Sequence, residues 1–123
     1  MENSILISTK KILGLDADYT AFDLDIITHI NTAFSTLTQL GIGPAEGFMI
    51  EDEREKWDDF IDIDSDLQLN SVKSYVFLRV KQLFDPPTTS YLIDSTERQI
   101  EQLEWRLNVH REETAWVDPL LET

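Results

Sequence analysis

The chain contains no cysteine. Disulfides and thiolate metal sites are therefore both excluded. Glycine occurs four times, and nowhere in the run that a phosphate-cradling loop needs. No serine sits in a GxSxG elbow, so a covalent mechanism has no nucleophile signal. The two histidines, His29 and His110, lie far apart with no HExxH-type partner. Basic residues are scarce: ten Lys and Arg stand against 24 Asp and Glu, a net charge of -14. A surface this acidic repels a phosphate backbone, and sequence-specific nucleic-acid binding needs a basic face. The apolar runs are too short to span a bilayer, and no basic-then-apolar N-terminal segment resembles a signal peptide. These absences argue against an enzyme, a cofactor, a metal and a membrane partner.

What is present is enough apolar material for a core. The chain has 123 residues, of which 41% are hydrophobic. A domain of this size buries roughly two-thirds of the surface its unfolded chain exposes. The periodicity predicts an all-α fold of four to five helices, with residues 1–113 as a helical domain and 114–123 as a tail. The first helix fits residues 4–13, with Ser4 as N-cap, Lys10 and Lys11 in the last turn, and Gly14 as the stop. The second is expected to be capped by Thr20. Its apolar set is Phe22, Ile26, Ile30, Ala33, Phe34 and Leu37, widened by Leu24 and Ile27. Residues 41–44, GIGP, end it.

Ten of the residues from Glu46 to Asp66 are Asp or Glu. Trp57, Phe60 and Ile61 punctuate that run at i, i+3 and i+4, which predicts a short amphipathic helix starting near Asp52. Asp62, Asp64 and Asp66 are spaced like the first ligands of a calcium loop. The sixth position is Leu67 instead of Gly and the twelfth is Lys73 instead of Glu, so the match fails. A fourth helix is expected to start between Asp66 and Ser71. It runs to Phe84, because Asp85 precedes Pro86 and Pro87 and is pushed out of the helical region. Val72, Tyr75, Val76, Phe77, Val80, Leu83 and Phe84 spread over a wide arc, the mark of a central helix. A long fifth helix follows from Thr89 or Ser90 to about Glu112, with an inward stripe of Leu92 or Ile93, Thr96, Ile100, Leu103 and Leu107.

Three features fit a lone domain poorly. Arg79 falls inside the apolar arc of the fourth helix. It either makes an internal ion pair, snorkels, or meets a neighbouring subunit's carboxylate. Leu78 lies alone on the opposite, polar side. On the fifth helix, Tyr91, Arg98, Trp105 and Val109 cluster opposite the inward stripe. That composition suits an interface, unless the N-terminal helix or the tail covers it. The tail carries Trp116, Val117, Leu120 and Leu121, which either fold back or dock on a partner.

Residues 72–108 read VKSYVFLRVKQLFDPPTTSYLIDSTERQIEQLEWRLN. Val72, Lys73, Tyr75, Leu78, Arg79, Val80, Phe84, the Asp85-Pro86-Pro87 corner, Thr88, Ser90 and residues 101–108 resemble the small head-to-tail connector, or adaptor, proteins of tailed bacteriophages of the siphophage type. The resemblance extends from Thr20 to about Glu113. It implies a helical subunit of a dodecameric ring beneath the capsid portal, located in the virion at the portal vertex and assembled in the host cytoplasm. Its partners would be further copies of itself, the portal protein and the next connector or tail component. DNA would pass through the lumen without sequence-specific binding, and no enzymatic activity or cofactor is implied. A rival reading of the same acidic, helical chain is a soluble binding protein, a DNA mimic or an inhibitor of a basic partner.

Overall fold

A computed structural model describes residues 4–60 and 66–115, with side chains described through residue 109 and not for residues 66–68. Among the described residues five helices form: α1 (Ile5–Ile12), α2 (Asp23–Gln39), α3 (Trp57–Phe60), α4 (Asp66–Phe84) and α5 (Ser90–Ala115). Among the described residues no strand forms. An isolated antiparallel bridge joins Ser4 to Lys56. Ile61, Asp62 and Asp64, and the tail from Trp116 onward, lie outside the described residues.

Helix α4 is the middle of the structure, as its wide apolar arc requires. It packs on α2 along one side and on α5 along another, with α1 laid across α2 and α4. Phe22, at the start of α2, meets Phe84, at the end of α4, with ring centroids 5.5 Å apart. Those two helices are therefore antiparallel. The corner at Asp85-Pro86-Pro87 returns the chain so that α5 is antiparallel to α4 as well. Val72, Tyr75, Val76 and Val80 of α4 are fully buried, together with Ile26, Ile30, Phe34 and Leu37 of α2. Each such side chain contributes about 1.5–3 kcal/mol relative to leaving it in water. Phe34 is the aromatic hub, 4.6 Å from Phe60 and 5.1 Å from Phe48 between centroids.

Helix ends follow local chemistry. Ser4 caps α1, its Oγ accepting from the Ile7 amide. Both α1 and α2 finish in a Schellman arrangement. The Leu15 amide donates to the Lys10 carbonyl and the Ile42 amide to the Leu37 carbonyl, around Gly14 and Gly41 at φ +81° and +82°. The left-handed backbone there favours glycine. Thr89 caps α5 by accepting from the Leu92 amide at 3.3 Å.

Three expectations need correction. Thr20 does not cap α2; the helix begins at Asp23 after a turn in which Thr20 gives only its carbonyl, to the Asp23 amide. The Asp23 carboxylate instead lies 2.8 Å from the buried Lys10 ammonium, which also donates to the Ala17 carbonyl. Leu24 does not widen the core stripe, being 77% exposed in the first turn of α2. The helix expected from Asp52 starts only at Trp57. Residues 51–55 form a turn whose amides are taken by carboxylates: the Glu51 and Asp52 amides donate to Glu55, and the Arg54 amide to Asp52. Side-chain acceptors of this kind compete with the helical ladder. The Glu53 and Glu55 carbonyls also accept from Ser4 and from the Ile5 amide, which ties α1 down.

Between α2 and α3 the chain is held by Asn31. Its Oδ1 accepts from the Ile50 amide at 2.8 Å and its Nδ2 donates to the Ile50 carbonyl at 3.1 Å. Ile50 is buried, so Asn31→Ala strands a donor and an acceptor. We expect a loss of about 1–3 kcal/mol in the unfolding free energy, measured by urea denaturation, with the helical circular dichroism otherwise unchanged.

Candidate assembly surfaces

No three His, Asp or Glu side chains converge as metal ligands among the described residues. The features that stand out are surfaces, and the α4–α5 hairpin builds the first. The Tyr75 hydroxyl, fully buried, donates to Glu104 of α5 at 2.8 Å. Burial first, and the Glu104 carboxylate second, push the Tyr75 hydroxyl up to about 12. One turn further along α4 is Arg79, half-buried. It donates through Nη1 to Gln82 at 3.2 Å, while its buried Nε has no hydrogen-bond partner. Among the described residues Arg79 makes no ion pair; the two pairs found are Lys10–Asp23 and Arg54–Asp52. The internal ion pair is therefore not what holds Arg79 in its apolar arc. A guanidinium with unused donors at a half-buried position matches the geometry that accepts a carboxylate in two parallel bonds.

The second surface is the outer face of α5. Tyr91 is 75% exposed and Trp105 68%, and Arg98 between them is exposed too, donating to the Asp94 carbonyl of its own helix. These residues recur every seven positions, so they line one stripe about 21 Å long at ~1.5 Å per residue. Val109 continues it as a half-buried residue. The N-terminal helix does not cover this stripe, because α1 packs on α2 and α4. Leu78 is placed differently from that expectation. It is not alone on a polar side but half-buried against the core, lining a groove with Pro86, Pro87, Leu92 and Thr96. Trp116, Val117, Leu120 and Leu121 lie outside the described residues.

A third surface escaped the reading of the sequence. The start of α2, the end of α4 and the start of α5 meet at one end of the molecule. There Tyr19, Phe22, Leu24, Leu83, Tyr91, Leu92 and Ile93 are all at least 38% exposed. Tyr19, Phe22 and Phe84 form a continuous aromatic chain, with centroid spacings of 5.8 and 5.5 Å. Leu92 and Ile93 were expected in the inward stripe and Leu83 in the core arc. They are 50%, 38% and 40% exposed at the rim, and only Ile100 and Leu107 of that stripe are buried. The proline corner was the one available signal, since it ends one apolar segment and begins another at the same place.

The chain matches the phage connector protein family over residues 5–114 and belongs to it. The match takes in α1, which the resemblance in residues 20–113 did not reach. No curated protein and no solved structure matches the chain. As a connector it is a component of the phage virion that assembles with other virion components.

The Tyr75–Glu104 contact has a pH signature. Below pH 10 the hydroxyl is protonated in both folded and unfolded chains, and its full contribution is present. Above pH 10 the unfolded chain ionises first, so stability falls as pH rises toward about 12. Ultraviolet titration should show one tyrosine ionising late, accompanied by unfolding in that window. Tyr75→Phe should lack the late step.

Proposed function

We propose that the chain is the subunit of a ring beneath the capsid portal, which extends the DNA channel and joins the capsid to the tail. The observation that carries this reading is the outward stripe of Tyr91, Arg98 and Trp105 on a phage connector subunit. A folded monomer gains nothing from presenting a Trp to water, whereas a subunit contact does. Trp, Tyr and Arg are the residues that dominate such contacts. In the ring, this stripe and Val109 lie against the next copy. Arg79 receives a carboxylate from that copy, and Leu78 lies at the edge of the contact. Contacts of one patch with a different patch on the next copy close into rings when the rotation permits. By resemblance to related connectors the ring is dodecameric.

The charge fits a channel wall. With a net charge of -14 per copy, the lumen repels DNA, which slides past without adhering. The aromatic rim at the corner end is a platform suited to the portal or to the next tail component. The tail beyond α5 is a separate docking segment whose Trp116, Val117, Leu120 and Leu121 reach the portal or another ring member. This is a structural role, with no catalytic step.

Trp105→Ala tests the reading. Trp105 is exposed, so the thermal unfolding midpoint of the monomer should stay unchanged within about 2 °C. Self-association, or addition to the portal, should weaken by roughly 2 kcal/mol or more per contact, seen by analytical ultracentrifugation and electron microscopy. Unchanged assembly by the variant would remove α5 from the subunit contact.

A further inference from the structure

Between α1 and the first half of α4 lies an open depression of about 450 Å³, with Ile7, Ile12, Trp57 and Phe77 as its apolar floor and Lys11 and Lys73 on its margins. Ile12 is 53% exposed. Lys73 holds its ammonium 5.7 Å from the centre of the Trp57 ring, and neither lysine has a carboxylate partner among the described residues. In a chain with ten basic residues, two unpaired lysines beside an apolar floor call for an acidic, apolar ligand. Residues 116–123, WVDPLLET, have that composition: Trp116, Val117, Leu120 and Leu121 with Asp118 and Glu122. The outer face of α5 lacks it, since Arg98 there sits among Asp94, Glu97 and Glu101.

We infer that this groove receives residues 116–123 of a neighbouring copy of the chain. The inference rests on the self-assembly proposed above. Reach decides between a copy's own tail and its neighbour's. Tyr75 faces α5, where it meets Glu104. Lys73 and Phe77, two residues to either side, are turned about 160° from it, so the groove is on the far side of α4. From Ala115, the end of α5, the groove is at least 13 Å back along the axis at ~1.5 Å per residue. It is also about 14 Å across, from a helix spacing of ~9 Å and a helix radius of ~5 Å. A path around α4 is longer than the resulting ~20 Å. Trp116 lies one residue beyond Ala115, and even Leu121 reaches only about 20 Å fully extended. A copy cannot seat this set in its own groove, and a neighbour can. Tail in groove is then a head-to-tail contact, of the kind that propagates around a ring.

The test is fluorescence anisotropy of a fluorescein-labelled peptide of residues 116–123 titrated with the full chain. Saturable binding is expected. A Lys11→Glu/Lys73→Glu chain, checked for folding by circular dichroism, should bind about tenfold more weakly. A peptide carrying Asp118→Lys and Glu122→Lys should recover binding to that chain. No saturable binding, or equal binding by the parent and charge-reversed chains, overturns the inference. Rings that form while the peptide fails to bind overturn tail docking alone. Peptide binding by a chain that never forms rings supports tail docking and removes the ring.

Discussion

The burial of α4 on two sides is the constraint from which the rest follows. A helix that must cover Val72, Val76 and Val80 as well as Tyr75 needs a neighbour on each side, and α2 and α5 supply them. The proline corner makes the second of these neighbours local in sequence, because the chain turns back immediately after Phe84. Helix α1 packs on α2 and α4 in turn, and the turn at residues 51–55 is tied to it. They hold each other through Ser4, Ile5 and the carbonyls of Glu53 and Glu55. The acidic segment is thus tied into the fold by its backbone while most of its described carboxylates face water.

What the core does not use becomes the surface of interest. Helix α5, at 26 residues, is about 39 Å long at ~1.5 Å per residue, longer than the helix it packs against. Only its middle and lower turns are needed for the core, through Ile100 and Leu107. Its upper turns join Phe22 and Phe84 at an apolar rim, and its outer face carries Tyr91 and Trp105 to solvent. Arg79 adds a guanidinium with spare donors. Each of these would cost a soluble monomer something in specificity or solubility, and that cost is the basis of the assembly role proposed for them.

Much of this was legible in the residues themselves. Helical spacing located α2, α4 and α5, because each carries an apolar stripe long enough to fix its period. Ser4 and Gly14 marked the bounds of α1. The spacing of Trp57 and Phe60 placed them in the core, although the helix around them proved shorter. What was not legible depends on distant partners. Thr20 does not cap α2, and Asp23 in its first turn belongs to Lys10 of α1. The residues around Asp52 fold into a carboxylate-held turn because their amides have closer acceptors than a helical ladder offers. Leu24, Leu83, Leu92 and Ile93 look like core residues by period and are not, because exposure at a helix end depends on how far its neighbours extend. For the surfaces, helical spacing separated Tyr91, Arg98 and Trp105 from the core correctly. It misplaced Leu78, which the approach of the proline corner half covers.

The central claim is that the outer face of α5 is where one copy meets the next in a ring at the portal vertex. Electron microscopy of the chain bound to its portal, at a resolution that traces side chains, tests it most directly. The account predicts a ring of this chain beneath the portal, with Trp105 buried at each subunit contact and a carboxylate of the neighbour against Arg79. A portal with no such ring, or a ring in which Trp105 remains in solvent, would contradict it.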